Sequence, residues 1–172
     1  MPFIQLIIVL DEGNTGVMRR KDREIVDKKV MASIIEKAII CRVAMCWQDE
    51  PYVIPMNFGY QDNYIYLHSA KEGRKLDILR NNNKVCIEFD ADVELVQSQK
   101  ACNTEMKYKS VLAFGKAVIL KDIVEKKKAL DIIMHHYYNH DSLSVFHYPE
   151  DTLEKVIIIK VRVKEMTGKE SL

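Results

Sequence analysis

IICRVAMCW, YVIPMNFGY and YIYLH, at residues 39–47, 52–60 and 64–68, are three β-type runs joined by short polar turns. β-Branched and aromatic residues dominate them. Gln48-Asp49-Glu50-Pro51 and Gln61-Asp62-Asn63 separate them. Connections this short leave no room for a crossover helix, so the runs predict an antiparallel meander. Pro55 sits inside the second run and cannot donate to a sheet ladder. That strand is therefore expected at a sheet edge or at a bulge. Gly59 nearby permits close backbone approach. An interrupted strand of this kind is a place where a flat ligand can meet exposed main-chain groups.

Working outward, Asp27 is placed to cap a helix running to about Ala38, with Val30, Ile34, Ile35 and Ala38 on one face. After the meander, Ser69-Ala70-Lys71-Glu72 has the spacing of a capping box and predicts a helix to about Arg80. Asn81-Asn82-Asn83 supplies a polar stop. Val85–Phe89 is a fourth strand, and residues 91–106 are expected to form a loop. Tyr108–Leu120 is a long strand with a bulge or bend at Gly115. Asp122-x-x-Glu125 opens a helix to about Tyr138. Residues 139–152 are polar and loop-like. Val156–Val163 closes the count at six strands and three helices. No βαβ alternation occurs. The expected class is mainly β: a closed or nearly closed β-barrel with peripheral helices at its ends.

The chain has 172 residues, 48% hydrophobic and 30% charged, which fits one soluble globular domain and excludes a disordered chain or a disulfide-dense miniprotein. A formal net charge of +1 gives no electrostatic footprint for nucleic acid. The run Lys126-Lys127-Lys128 reads as a solvated helix face. Cys41, Cys46, Cys86 and Cys102 show no C-x-x-C spacing. The first three lie in apolar runs and read as reduced, buried thiols, which points to a cytoplasmic protein. Phe3–Leu10 is apolar but too short to span a bilayer and lacks a basic n-region. No membrane association is expected. Met18 offers a second start, so residues 1–17 read as an appendage or an extra edge strand, and residues 18–172 as the domain.

Tyr66-Leu-His-Ser-Ala-Lys-Glu-Gly-Arg-Lys75 holds the chemistry. A strand ends and a helix begins, so free N–H groups and a partial positive charge face outward. Lys71, Arg74 and Lys75 add formal charge, and the Ser69 hydroxyl can donate. The set makes an anion site suited to phosphate. An ordinary capped helix with surface lysines accounts for the same residues. His68, at the strand end, is a phosphate donor, a substrate contact or a structural residue. His136 and His140 have i, i+4 spacing in His135-His-Tyr-Tyr-Asn-His140, but no third metal ligand is evident apart from His147, and no metal is assigned. Serine-hydrolase, P-loop and dinucleotide fingerprints are absent.

These stretches together resemble the nitroimidazole-resistance (Nim-type) proteins of the pyridoxamine 5′-phosphate oxidase-like, FMN-binding split-barrel group. Met18-Arg-Arg-Lys-Asp-Arg-Glu, Cys41-Arg-Val-Ala-Met, Pro51-Tyr-Val-Ile-Pro-Met-Asn-Phe-Gly-Tyr60, Ile65–Lys75, Val85–Phe89 and Tyr108–Ala117 carry the resemblance in order. It covers residues 18 to about 165. It implies a homodimer with FMN at the interface. Ser69 and Lys75, helped by His68, would bind the phosphate. Pro55, Met56 and Asn57 would lie along the flavin ring. Tyr108, Ser110 and Val111 would reach the partner's flavin from the long strand. His68 matches a histidine that lines the active site in Nim-type relatives. The implied activity is a flavin-dependent reductase or oxidase of a small molecule, with NAD(P)H as hydride donor and nitro compounds as acceptors. A flavin- or haem-binding protein without turnover is the alternative, as is a pyridoxamine 5′-phosphate oxidase. The C-terminal sequence Val163–Leu172 lacks the arginine-rich, tryptophan-bearing ending associated with that enzyme. Asn103-Thr104 also replaces a tryptophan-bearing stretch.

Overall fold

A computed structural model of the chain describes residues 18–138 and 146–172. The proposed appendage at 1–17 and the middle of the loop after residue 138, with His140, lie outside the described residues. In chain order the elements are β1 (Glu24–Ile25), α1 (Lys28–Lys37), β2 (Cys41–Trp47), β3 (Glu50–Met56), β4 (Phe58–Gln61), β5 (Tyr64–Ser69) and α2 (Arg74–Asn81). Then come β6 (Lys84–Val96), β7 (Glu105–Leu120), α3 (Ile123–Tyr137), α4 (Glu150–Lys155) and β8 (Ile157–Ser171).

The strands form one antiparallel sheet in the order β3-β2-β6-β7-β8-β5-β4, with β1 added on β8. Its edge strands, β3 and β4, do not pair with each other. They are joined in sequence by the single residue Asn57. The sheet therefore curls until its two edges meet at one residue, but hydrogen bonds do not close it. Side chains alternate along each strand. Cys41, Val43 and Met45 of β2 face one core with Ile87 and Phe89 of β6 and Val111 and Ala113 of β7. The Phe58 and Phe89 rings meet edge-on at 4.8 Å in that core. This is the split-barrel architecture with peripheral helices.

Two tight turns set the meander. Gln48 and Asp49 (φ 52° and 59°) join β2 to β3, and Asp62 and Asn63 (φ 52° and 63°) join β4 to β5. Two successive left-handed residues are the signature of the type I′ hairpin, whose twist matches that of the strands. Pro55 lies on an edge strand, as a missing donor requires. The single run expected at 52–60 is two strands, broken at Asn57. The close approach at Gly59 is to protein: a Cβ there would stand 2.7 Å from the Ile132 carbonyl oxygen, so α3 lies directly on β4.

Asp27 and Asp122 cap their helices. Asp27 Oδ1 accepts from the Lys29 N–H at 2.7 Å, and Asp122 Oδ1 accepts from those of Val124 and Glu125 at 2.9 Å. The Ser69 capping box is not formed. β5 continues through Ser69 and turns its side chain inward, so α2 starts four residues later, behind Gly73 at φ 132°. Half of the loop expected over 91–106 is strand: β6 runs on to Val96 and β7 begins at Glu105, a hairpin extended past a bulge between Ala91 and Glu94. Its charged, exposed residues hide the alternation. The bulge at Gly115 is present as a register shift. β8 continues well beyond Val163, and α4 adds a fourth helix. Lys126 is not a solvated charge, since its ammonium donates to the Leu153 and Val156 carbonyls at 3.2 and 2.9 Å and ties α3 to α4. Of the three cysteines expected to be buried, Cys41 is buried, Cys86 half-buried and Cys46 exposed.

Candidate functional site

Where the end of β3 meets the β5–α2 junction, Ile54, Pro55, Met56, Asn57, His68, Ser69, Ala70 and Lys75 line a cavity of about 270 Å³. The fold brings these segments together because Asn57 leads straight from β3 into β4, and β4 pairs with β5. Six of the residues singled out from the sequence converge here: Pro55, Met56, Asn57, His68, Ser69 and Lys75.

The charge in this cavity is unbalanced. Lys75 is half-buried, and no carboxylate among the described residues lies within ion-pair reach of its ammonium. Its neighbour Arg74 is engaged elsewhere, 4.0 Å from Glu50 and over the Tyr52 ring at 5.3 Å. The first helical bond of α2 runs from the Leu76 N–H to the Gly73 carbonyl at 2.9 Å. The preceding N–H groups of Arg74 and Lys75 find no backbone acceptor among the described residues, as expected at a helix start. A cationic side chain beside free N–H groups is the arrangement an anion requires. His68 is exposed at the end of β5. Ser69 is 5% exposed, and its hydroxyl donates to the Ala70 carbonyl at 2.9 Å. In this geometry its oxygen is free to accept, and rotation about χ1 would release the proton to an anion.

Tyr108, Ser110 and Val111 do not reach this cavity within one chain. His68 shares a rung with Ile158, which faces Leu120 on β7, whereas Tyr108 faces Ser171 and Val111 faces Gly168. At about 3.3 Å per residue the separation is roughly 30–40 Å of strand. Val111 is fully buried in the core, and the Ser110 hydroxyl lies 3.5 Å from the Lys169 carbonyl.

The histidine-rich stretch lies on α3. His135 Nδ1 pairs with the Asp131 carbonyl at 2.7 Å and His136 Nε2 with the Ala38 carbonyl at 2.8 Å. A larger cavity of about 540 Å³ lies between Glu36, Tyr60, Asp131, His135 and His136. Among the described residues no group of three or more side chains converges as a metal site. Carboxylates rather than cations line that cavity, whereas Lys75 lines the smaller one, so of the two the smaller has the charge that suits an anion. Tyr137 carries no weight in sequence, yet its hydroxyl accepts from the Phe58 N–H at 3.0 Å, beside Asn57. A tyrosine at the end of a predicted helix gives no signal of such a contact. No helix among the described residues is long and apolar enough to cross a membrane.

The split-barrel architecture defines a class of protein, and known families and structures match it. A family model described as pyridoxamine 5′-phosphate oxidase matches residues 27–170, and the chain belongs to that family. Among solved structures it is similar to a candidate 5-nitroimidazole antibiotic resistance protein from Bacteroides thetaiotaomicron, with 40% identity, 86% of each chain covered and a TM-score of 0.75. It shares its fold with the flavocytochrome Anf3 of Azotobacter vinelandii (18% identity, 91% of this chain and 72% of that one, TM-score 0.77). It also shares it with an FAD- and haem-binding protein of Mycobacterium smegmatis (14% identity, 87% and 73%, TM-score 0.77). A curated relative, an uncharacterised protein of Rhizobium meliloti, is 27% identical over 65 residues, or 38% of this chain and 42% of that one.

Proposed function

We propose that this chain is a flavin-dependent oxidoreductase that holds FMN by its phosphate in the Lys75 cradle and reduces small acceptors, nitro compounds among them. The observation that carries it is the half-buried ammonium of Lys75, with no carboxylate partner among the described residues, beside the first N–H groups of α2, which find no backbone acceptor there, and the His68 and Ser69 side chains. Pro55, Met56 and Asn57 are at the end of an edge strand, where backbone groups lacking a ladder partner are available to a flavin ring. Family membership and the nitroimidazole-resistance relative support the same conclusion.

A volume of about 270 Å³ lies below the ~300–1,000 Å³ usual for a site enclosing a drug-sized ligand. A second surface must complete it, and a second copy of the chain supplies one. The outward face of the sheet carries an apolar row, Val53, Ala44, Cys86 and Phe114, aligned across β3, β2, β6 and β7, with exposed Leu112 alongside. Pairing that face in a homodimer brings Tyr108 and Ser110 of one protomer toward the other's cradle, with Val111 holding the strand from the core side.

When bound, the flavin supplies hydride chemistry, accepting from a donor such as NAD(P)H and passing electrons to the acceptor. The chain's own work is to hold the phosphate through Lys75, orient the ring against Pro55–Asn57 and keep water from one face. His68, exposed beside the cradle, is the side chain placed to donate a proton to a reduced acceptor or a hydrogen bond to phosphate.

The test is a visible spectrum of freshly purified protein, then chromatography of what heat releases. A flavin band with FMN in the supernatant is expected. FAD or haem would redirect the cofactor assignment. A colourless protein that takes up neither flavin would overturn it. Turnover with NAD(P)H separates an oxidoreductase from a binding protein, and turnover of pyridoxamine 5′-phosphate would identify the oxidase.

A further inference from the structure

At Asn57 the sheet's hydrogen bonding lapses. β3 ends at Met56, β4 begins at Phe58, and these edge strands make no ladder with each other. Phe58 is fully buried, so its N–H cannot be left without a partner except at a cost in stability. The Tyr137 hydroxyl takes that N–H at 3.0 Å and donates onward to the Ile39 carbonyl at 3.0 Å, just ahead of β2. One phenol thus bridges the two ends of the sheet where backbone pairing is missing. The Asn57 side chain also reaches the Tyr137 oxygen. Burial raises the phenol's pKa, while hydrogen bonds from Phe58 and Asn57 act in the opposite direction. One residue earlier, His136 packs its ring 4.2 Å from that of Phe58 and binds the Ala38 carbonyl, so α3 grips both sides of the gap.

We infer that Tyr137 is a positioning residue for the cofactor site: from α3 it fixes the Asn57–Phe58 peptide and the Asn57 amide in the orientation that the flavin ring meets. The inference rests on the flavin assignment above and adds a residue outside the cavity to it. Tyr137 does not line the cavity. It acts through Asn57, whose backbone has no strand partner to hold it. The cofactor's affinity and its redox potential both depend on hydrogen bonds to the ring, so both respond to the tyrosine.

The experiment compares the full-length wild type with Tyr137→Phe and with Tyr138→Phe, an exposed neighbour outside the bridge. FMN affinity, the midpoint potential of the bound flavin and amide exchange in the flavin-free protein are measured. For Tyr137→Phe, binding about tenfold weaker is expected, the worth of roughly one hydrogen bond. A displaced potential and faster exchange of the Phe58 amide are also expected. Tyr138→Phe should match the wild type in all three. Equal affinity and equal potential in Tyr137→Phe, with wild type binding FMN, would overturn the inference and leave the flavin assignment standing. A wild type that binds neither FMN nor FAD would overturn both. If Tyr137→Phe does not fold, 3-fluorotyrosine at position 137 keeps the shape and weakens the oxygen as an acceptor. A smaller change in the same direction supports the inference, and an unchanged potential refutes it.

Discussion

β7 and β8 run side by side from the rung Tyr108–Ser171 to the rung Leu120–Ile158, broken only at the Gly115 bulge. Across the molecule, β3 and β4 meet at Asn57 with no rung between them. The first region is held by backbone and is indifferent to most outward-facing side chains. The second is held by a few side chains, those of Tyr137, His136 and Cys41, whose thiol donates to the Met56 carbonyl at 3.4 Å. The cavity proposed as the phosphate cradle lies in the second region. A closed ladder would satisfy every strand edge and leave no backbone for a ligand. Leaving one gap, and bracing it from outside with a helix, keeps edge groups available without letting the sheet unroll.

The most damaging change should be Gly59→Val. Its Cβ would fall 2.7 Å from the Ile132 carbonyl oxygen and the Ile133 nitrogen, and neither backbone atom can yield without lifting α3 from β4. Denaturant unfolding should show a loss of about 3 kcal/mol, with flavin uptake lost as well. A protein that unfolds normally but binds no flavin would show that α3 docking serves the site and not the fold.

Lys75→Ala probes the cradle itself. If Lys75 holds the flavin phosphate as proposed, the change removes a charge-assisted contact, so flavin affinity should fall roughly 30-fold, with little change in stability. Arg80→Ala, at the other end of α2, deletes only an exposed pair with Asp77 at 2.8 Å and should leave affinity unchanged. Equal affinities in the two variants by calorimetric titration would remove Lys75 from the site.

The sequence is legible to different degrees in these two regions. The hairpins at Gln48-Asp49 and Asp62-Asn63 are readable because polar residues that tolerate φ > 0 sit between alternating apolar runs. The edge position of Pro55 follows from one missing donor. The cluster of Pro55–Asn57 with His68, Ser69 and Lys75 follows from the Nim-type resemblance together with the strand–helix junction. The start of α2 is misplaced because Ser69-x-x-Glu72 has capping-box spacing, while the inward pleat of β5 already claims the Ser69 side chain. The β6–β7 extension is missed because its residues are exposed and carry no burial pattern. Tyr137 is invisible because its partners, Ile39 and Phe58, are 98 and 79 residues away in sequence.

The Cys41 thiol sharpens the comparison through pH. Burial pushes its pKa from an ordinary 9.0 to about 12. The folded protein therefore keeps a proton that the unfolded chain releases, and the folded state loses relative stability as pH rises from about 9 toward 12. Below pH 9 this group contributes no slope. Cys41→Ala should cost about 1 kcal/mol near neutrality and flatten the alkaline decline. Urea titrations at pH 8 and pH 10.5 measure both, and an unchanged slope would mean that the thiol is accessible at the gap.

The smallest effect should come from the far end of the long ladder, where the β6–β7 hairpin leaves the barrel at Asp92. Its carboxylate lies 3.4 Å from the Lys37 ammonium and 3.3 Å from that of Lys109, and its φ is 54°. Charge and backbone are separable there. Asn adopts left-handed φ readily but carries no charge, so Asp92→Asn removes only the ion pairs and should lower stability slightly at low salt and not at all at high salt. Asp92→Ala adds the backbone penalty, a further ~1 kcal/mol that salt does not screen. Neither should alter flavin binding, because continuous backbone pairing separates this bulge from the gap at Asn57. A salt-dependent loss of flavin affinity in Asp92→Asn would mean that the hairpin contributes to a cradle, which within this fold only a second copy of the chain could bring within reach.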